Sequence, residues 1–329
     1  MFVKDIGIDL GTANVLIYLK GKGIVLDEPS VVAIDANTKK ILAVGKDARA
    51  MIGRIPSKVQ AIRPMKDGVI ADFEITELML NYFVKKVHGY MFFCRPRILI
   101  CCPSNITQVE KNAIKEAAER TGARKVFIEE EPKVAAIGAG MDISRPSGNM
   151  VIDIGGGTTD IAILSLGSIV KSSSIKIAGN AFDNDIVKYM RSKYKLLIGE
   201  RTAEDIKVTI GTVYNERLDK TEVKGRDLVT GLPHVITITS KEVEEALRDS
   251  VYKIIAEIKS VLELTPPELA GDIVDKGIIL TGGGSLIDGF DKLLSHELKV
   301  PVFMADSPLT CVVEGTGTLL ENPSMIESI

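Results

Sequence analysis

Residues 6–19 read IGIDLGTANVLIYL, and residues 150–166 read MVIDIGGGTTDIAILSL. Each is an apolar run carrying an aspartate near its end, Asp9 or Asp153, then a Gly/Thr turn, then a second apolar run. The turns are Gly11-Thr12-Ala13-Asn14 and Gly155-Gly156-Gly157-Thr158-Thr159. Glycines lack a Cβ, so several backbone N–H groups can converge on one phosphate oxygen, and threonine hydroxyls add donors. An aspartate at a strand end can hold hydrated Mg²⁺ through its waters. The residues after each turn separate the motif from two look-alikes. Val15, Leu16 and Ile17 in the first copy, and Ile161, Ala162 and Ile163 in the second, read as strand. A dinucleotide fingerprint would continue as helix, and no P-loop pattern occurs. Plain hairpins with glycine turns are the bland alternative for either copy alone. The repetition argues for two related lobes facing one polyphosphate.

A third cluster, Gly282-Gly283-Gly284-Ser285, lies in GIILTGGGSLIDGFDKLLSHEL between a strand pattern and a helix pattern. Free N–H groups and the positive end of a helix dipole would meet a ligand there. Ordinary tight strand–helix packing is the competing reading. With the two hairpins, this cluster would complete a three-sided nucleotide site.

Composition narrows the classes. A chain of 329 residues exceeds one compact core and suits two lobes. A net charge of −3, no tryptophan and few other aromatics argue against a nucleic-acid partner. The four cysteines form no C-x-x-C pair, and Cys101-Cys102 sits in the apolar run ILICCP, so buried free thiols are expected. The three histidines are scattered, which argues against a zinc centre, and no signal peptide or long apolar span is visible.

Along the chain, 2–35 reads as a meander and 36–75 as mixed and turn-rich. Helical spacing follows at 75–87, 107–121, 182–195, 202–210 and 243–264, with a strand at 97–102 and a hairpin region at 221–239. Thr107 or Asn105 caps the second helix, and Thr202 with Asp205 has the spacing of a capping box. The expected fold class is α/β.

The hairpins, the GGG turn and EEEPKVAAIGAG (129–140) together resemble the actin-type ATPase fold. Within it, DIGIDLGTAN, EPSVVAID, IRPMKDGVIADF, SGNMVIDIGGGTTDIA, IGERTAEDIK and TPPEL are similar to the MreB family of bacterial actin-like shape proteins, Mbl-type paralogues included. The likeness runs from residue 2 to about 320. It implies two lobes of duplicated βββαβα topology with nucleotide in the cleft between them. The first lobe would span 1–147 with an inserted subdomain at about 33–62. The second would span 148–329 with one at about 180–242.

The resemblance also assigns residues. Gly11, Thr12, Ala13 and Asn14 match the first phosphate loop, and Gly155, Gly156, Gly157, Thr158 and Thr159 the second. Asp9 and Asp153 match the Mg²⁺-organising carboxylates. Glu131 matches the carboxylate that positions attacking water, with Thr158 across the γ-phosphate. Glu204 and Lys207, with Gly282, Gly283, Gly284, Ser285 and Leu286, match the adenosine-facing wall. Asp160 stands where some members carry Glu, a tolerated variation. Phosphoryl transfer needs positioning and charge neutralisation more than covalent chemistry. The first loop has Asn14 and no lysine, so Mg²⁺ and backbone amides would carry the neutralisation. A single positioned carboxylate and hydroxyl without an arginine finger implies slow hydrolysis of ATP. A solvated acidic turn is the plain alternative for Glu129-Glu130-Glu131.

Tyr90, Met91, Phe92 and Phe93 follow Gly89 where a loop is expected, flanked by Lys85, Lys86, Arg95 and Arg97. An apolar tip with a basic collar suits an anionic bilayer, and the family has a membrane-contacting loop here. Burial in the core is the alternative. The short start MFVKD leaves no room for the amphipathic N-terminal helix of some relatives, so attachment through the loop alone is expected. The family's paired antiparallel protofilaments would meet at the helix carrying Val109. The implied function is a cytoskeletal ATPase at the inner membrane face that assembles head to tail and organises cell-wall synthesis. A heat-shock-type chaperone fits less well, because the chain stops after the second lobe. A small-molecule kinase lacks a nameable acceptor aspartate.

Overall fold

The computed structural model describes residues 5–53, 58–88, 95–104, 106–214 and 217–322. Two five-stranded sheets organise it, and they share one topology. The first comprises Ile6–Leu10, Asn14–Leu19, Gly23–Pro29, Arg97–Cys102 and Lys125–Glu130; the second comprises Asn149–Ile154, Thr159–Ser165, Ser168–Ile175, Ile278–Thr281 and Val302–Met304. Numbered along the chain within each sheet, the strands lie in the order 3-2-1-4-5 both times. Strands 1, 2 and 3 pair antiparallel, while 4 and 5 join in parallel. The parallel joins require helical crossovers. In the first sheet Phe73–His88 precedes strand 4 and Gln108–Glu119 precedes strand 5. The expected βββαβα run is present in each half and continues into a fifth strand and a closing helix, Glu131–Gly138 or Cys311–Glu321.

The central strands are mostly apolar because both faces are covered. Ile6, Ile8, Ile98 and Ile100 are buried in the first core, and Met150, Ile152, Ile161 and Ile163 in the second. A third cluster joins the two: Leu99 and Cys101 from the first sheet, Val151, Ala162 and Leu164 from the second, and Val134, Ala135, Leu319 and Leu320 from the closing helices. These helices cross backbone against backbone. A Cβ on Gly138 would lie 1.8 Å from the Cys311 carbonyl oxygen, and one on Gly315 2.0 Å from that of Val134. Any side chain at either position would drive the helices apart.

Smaller units hang from each sheet. Val32–Asp35, Ile41–Val44 and Val59–Ile62 form a three-stranded sheet under the short helix Lys46–Met51. Leu196–Leu197, Lys220–Asp227 and Pro233–Thr239 form another, beside the helix Glu200–Ile210.

Helix ends follow local chemistry, with one correction. Thr107 caps Gln108–Glu119 in a full capping box with Glu110, as its spacing predicts. Helix Glu200–Ile210 instead starts two residues before Thr202, behind Gly199, and has no side-chain cap. Thr202 and Asp205 are thus interior, and their spacing was coincidental. A second full box, Thr239 with Glu242, starts the 24-residue helix Ser240–Glu263. Its buried face carries Val243, Leu247, Val251, Ile254, Ile255 and Ile258. Cys101, Cys102 and Cys311 are buried free thiols.

Candidate functional site

Both glycine turns sit at the same ends of equivalent strands, and the sheets bring them into contact. A Cβ on Gly156 would lie 2.6 Å from the Ala13 Cβ, and one on Gly157 2.6 Å from the Thr12 Oγ1. Only glycine lets the turns meet this closely. The third cluster closes the ring from behind: a Cβ on Gly282 would lie 2.2 Å from Asp153 Oδ1, and one on Gly284 3.1 Å from the Gly155 oxygen. Helix Gly179–Tyr194 is tied on by its first amides, Gly179 N–H donating to Gly155 O at 3.1 Å and Asn180 N–H to Gly156 O at 2.8 Å.

Four carboxylates gather beside the turns. Asp153 and Asp160 are register partners across the second hairpin, so their side chains share a face. Both are buried, at 3% and 1% exposure. Asp9 holds the equivalent place on the first sheet, and Glu131 opens the helix Glu131–Gly138. Burial pushes the Asp9 carboxyl up to about 7, with the charge of Asp27 adding to it. Burial first, then neighbouring carboxylates, holds Glu131 and Asp153 well above the usual range. Burial also raises Asp160, while the nearby Ser174 and Thr158 hydroxyls and the Ser104 amide draw it back. Its Oδ1 has no hydrogen-bond partner.

Crowded, desolvated carboxylates of this kind fit a hard divalent cation. Among the described residues, no three acidic, histidine or cysteine groups converge tightly enough to ligate one directly. The solvated acidic turn gives way at Glu129: it is 6% exposed and paired with Lys133 at 3.3 Å, while Glu130 faces Lys111 at 3.9 Å.

Several expected site residues are otherwise engaged. Thr12 Oγ1 accepts from Gly68 N–H at 3.0 Å, and Asn14 Nδ2 donates to Asp27 at 2.9 Å. Thr159 donates its hydroxyl to Ile177 O at 2.6 Å. Thr158, by contrast, is buried against the Gly68 turn and lies beside Asp160. Lys207 donates to Gly179 O at 2.9 Å and pairs with Asp183 at 2.8 Å. Glu204 pairs with Arg49 at 2.6 Å.

The dipole expected at the GGG turn needs correcting. Gly283–Leu286 is a single 3-10 turn, and the α-helix begins only at Phe290. The cluster's value is close approach to Asp153 and Gly155. Ser285 is buried, its hydroxyl donating to Gly282 O at 2.6 Å, while Leu286 is exposed.

Tyr90, Met91, Phe92 and Phe93 lie outside the described residues. Of the flanking cations, Lys86 pairs with Glu28 at 2.8 Å and Arg97 with Asp5 at 2.6 Å, while Lys85 and Arg95 are exposed. Val109 is 77% exposed on a helix whose buried face is Ile114, Ala117 and Ala118. Among the described residues no helix is long and apolar enough to cross a membrane.

Comparison with known proteins agrees with this architecture. The family model for MreB/Mbl protein matches residues 3–328. The cell shape-determining protein Mbl of Bacillus cereus is 65% identical over 323 residues, covering 98% of this chain and 97% of that one. The cell shape-determining protein MreB of Escherichia coli is 52% identical over 327 residues, covering 98% and 94%. The crystal structure of MreB5 of Spiroplasma citri bound to AMPPNP superposes with a TM-score of 0.94 at 43% identity, covering 98% of each chain. With the duplicated sheets and the paired glycine turns in place, the chain has the actin-type fold and belongs to the MreB/Mbl family.

Proposed function

We propose that this chain is an ATP-dependent, membrane-associated filament protein that determines cell shape by organising cell-wall synthesis. The observation that carries the nucleotide part is the abutment of the two Gly/Thr turns, with Asp9, Glu131, Asp153 and Asp160 gathered beside them. The AMPPNP held by the Spiroplasma relative supports the same reading.

In this account the amides of Gly11–Asn14 and Gly155–Thr159 cradle the polyphosphate from its two sides. Asp9 and Asp153 would hold Mg²⁺, which would supply the charge neutralisation that no lysine of the first turn can. Glu131 orients the attacking water, with Thr158 opposite. Burial makes Glu131 a stronger proton acceptor than an ordinary glutamate. Glu204 and Lys207, with Gly282–Leu286, wall the adenosine. The two halves act as lobes, 1–147 and 148–329, that close on ATP, favour head-to-tail assembly and loosen after slow hydrolysis.

Attachment to the inner membrane face runs through Tyr90–Phe93, with the flanking cations Lys85, Lys86, Arg95 and Arg97 attracting anionic lipid. Each buried apolar side chain contributes at most about 1.5–3 kcal/mol, so single subunits bind weakly and filaments bind by avidity. The exposed Val109 supports lateral pairing of protofilaments.

Phosphate release and light scattering, followed together on ATP·Mg²⁺ addition, test the reading. Scattering should rise ahead of slow phosphate release, and Glu131→Ala should assemble without releasing phosphate. ATP consumption that needs an added small acceptor, without assembly, would replace this reading with a kinase.

A further inference from the structure

Two ion pairs cross between the halves of the molecule. Arg49 Nη2 lies 2.6 Å from both carboxylate oxygens of Glu204, and Arg63 Nη2 lies 3.1 Å from Glu200. Arg49 sits on the helix Lys46–Met51, and Arg63 directly follows the strand Val59–Ile62 beneath it. Their partners are one turn apart on the helix Glu200–Ile210, so they present one face to the opposing arginines. Between these elements lies a cavity of about 320 Å³ lined by Asn14, Asp27, Lys46, Arg49, Arg201 and Asp205. Asn14 ends the first glycine turn, so the cavity runs from that turn to Arg49, a member of the first pair.

The pairs are open to water. Side-chain exposure is 43% and 36% for Arg49 and Glu204, and 41% and 60% for Arg63 and Glu200. Lys207, on the same helix, pairs instead with Asp183 of the helix Gly179–Tyr194; those side chains are only 12% and 13% exposed, and the pair stays within the second half. That contrast separates a structural pair from two that can open and re-form.

We propose that Arg49–Glu204 and Arg63–Glu200 form a clasp across the entrance to the polyphosphate site and set the rate at which nucleotide enters and leaves. The inference rests on the nucleotide reading above. A ligand seated between the turns passes this entrance only when the pairs part. Exposed pairs are individually weak, so each modulates the rate severalfold and is screened by salt.

The test uses the full chain and release of a fluorescent N-methylanthraniloyl-ADP chased with excess ADP. Arg63 and Glu200 are chosen because neither is assigned to the nucleotide. At low salt Arg63→Glu should speed release about two- to fivefold. Adding Glu200→Arg should restore the original rate, and high salt should erase the difference. Arg49→Gln should act in the same direction. Release unchanged in Arg63→Glu, or a reversed pair that fails to restore it, overturns the clasp while leaving nucleotide binding intact. A wild-type chain that holds no ADP analogue overturns the nucleotide reading and the clasp with it. Thermal midpoints of the four proteins without nucleotide close a double-mutant cycle, and strict additivity of Arg63 and Glu200 would equally overturn the clasp.

Discussion

Gly156→Ala is the sharpest test of how the two turns meet. The φ of Gly156 lies outside the left-handed region, so the backbone accepts alanine and only the approach forbids it. The new methyl would sit 2.6 Å from the Ala13 Cβ and 3.3 Å from the Ala13 nitrogen. Carbon atoms rest at about 3.5–4.0 Å, so the turns must separate by about 1 Å. Neither atom of Ala13 belongs to a side chain that can rotate away. Overpacking of this kind costs about 1–3 kcal/mol of stability. A displacement of about 1 Å at a reacting centre can cost on the order of 100-fold in turnover. The thermal midpoint and steady-state phosphate release read the two effects separately. A second variant controls for misfolding: Ala13→Gly with Gly156→Ala moves the methyl from one turn to the other and should recover most of both losses. Wild-type turnover in Gly156→Ala, or a double variant no better than the single, would refute close abutment of the turns.

Other expectations follow from particular groups. Folding raises Asp9 from 3.8 to about 7, by burial first and Asp27 second. A raised carboxyl binds its proton more tightly when folded, so its stabilisation is full below about pH 3.8 and is lost as pH rises through about 7. The nucleotide-free chain should therefore lose thermal stability across that window, and a midpoint-against-pH series should show a flatter slope in Asp9→Asn. Thr239→Ala removes a full capping box from the helix Ser240–Glu263 and should cost about 1 kcal/mol by chemical denaturation. Val109→Asp should leave the melting temperature within error, since the side chain is 77% exposed. Electron microscopy should show it forming single rather than paired protofilaments.

Much of the site was legible because it is written in local spacing. The aspartate, turn and strand of each hairpin lie within fourteen to seventeen consecutive residues, and strand 1 of each sheet follows from that motif alone. Asp160 is legible in the same motif. The hairpin register places it opposite Asp153, so a second carboxylate on that face could have been counted from the turn length. The mixed stretch 36–75 hid a six-residue helix, because Lys46–Met51 is too short to show periodicity and starts after Gly45 without a side-chain cap. Thr202 and Asp205 had the right spacing for a cap and the wrong context, since the helix already runs from Glu200. Arg49–Glu204 spans 155 residues of sequence, and no periodicity reports such a contact. The engagement of Lys207 by Asp183, and of Thr159 by Ile177, is likewise a product of packing between elements.

Sedimentation with anionic liposomes, in ATP, ADP or no nucleotide, tests the central claim most directly. Wild type should co-pellet most strongly with ATP, with ribbons on the membrane, and Glu131→Ala should stay on the liposomes longer after ATP is added. A chain that binds ATP yet remains monomeric and free of lipid in every condition would contradict the account.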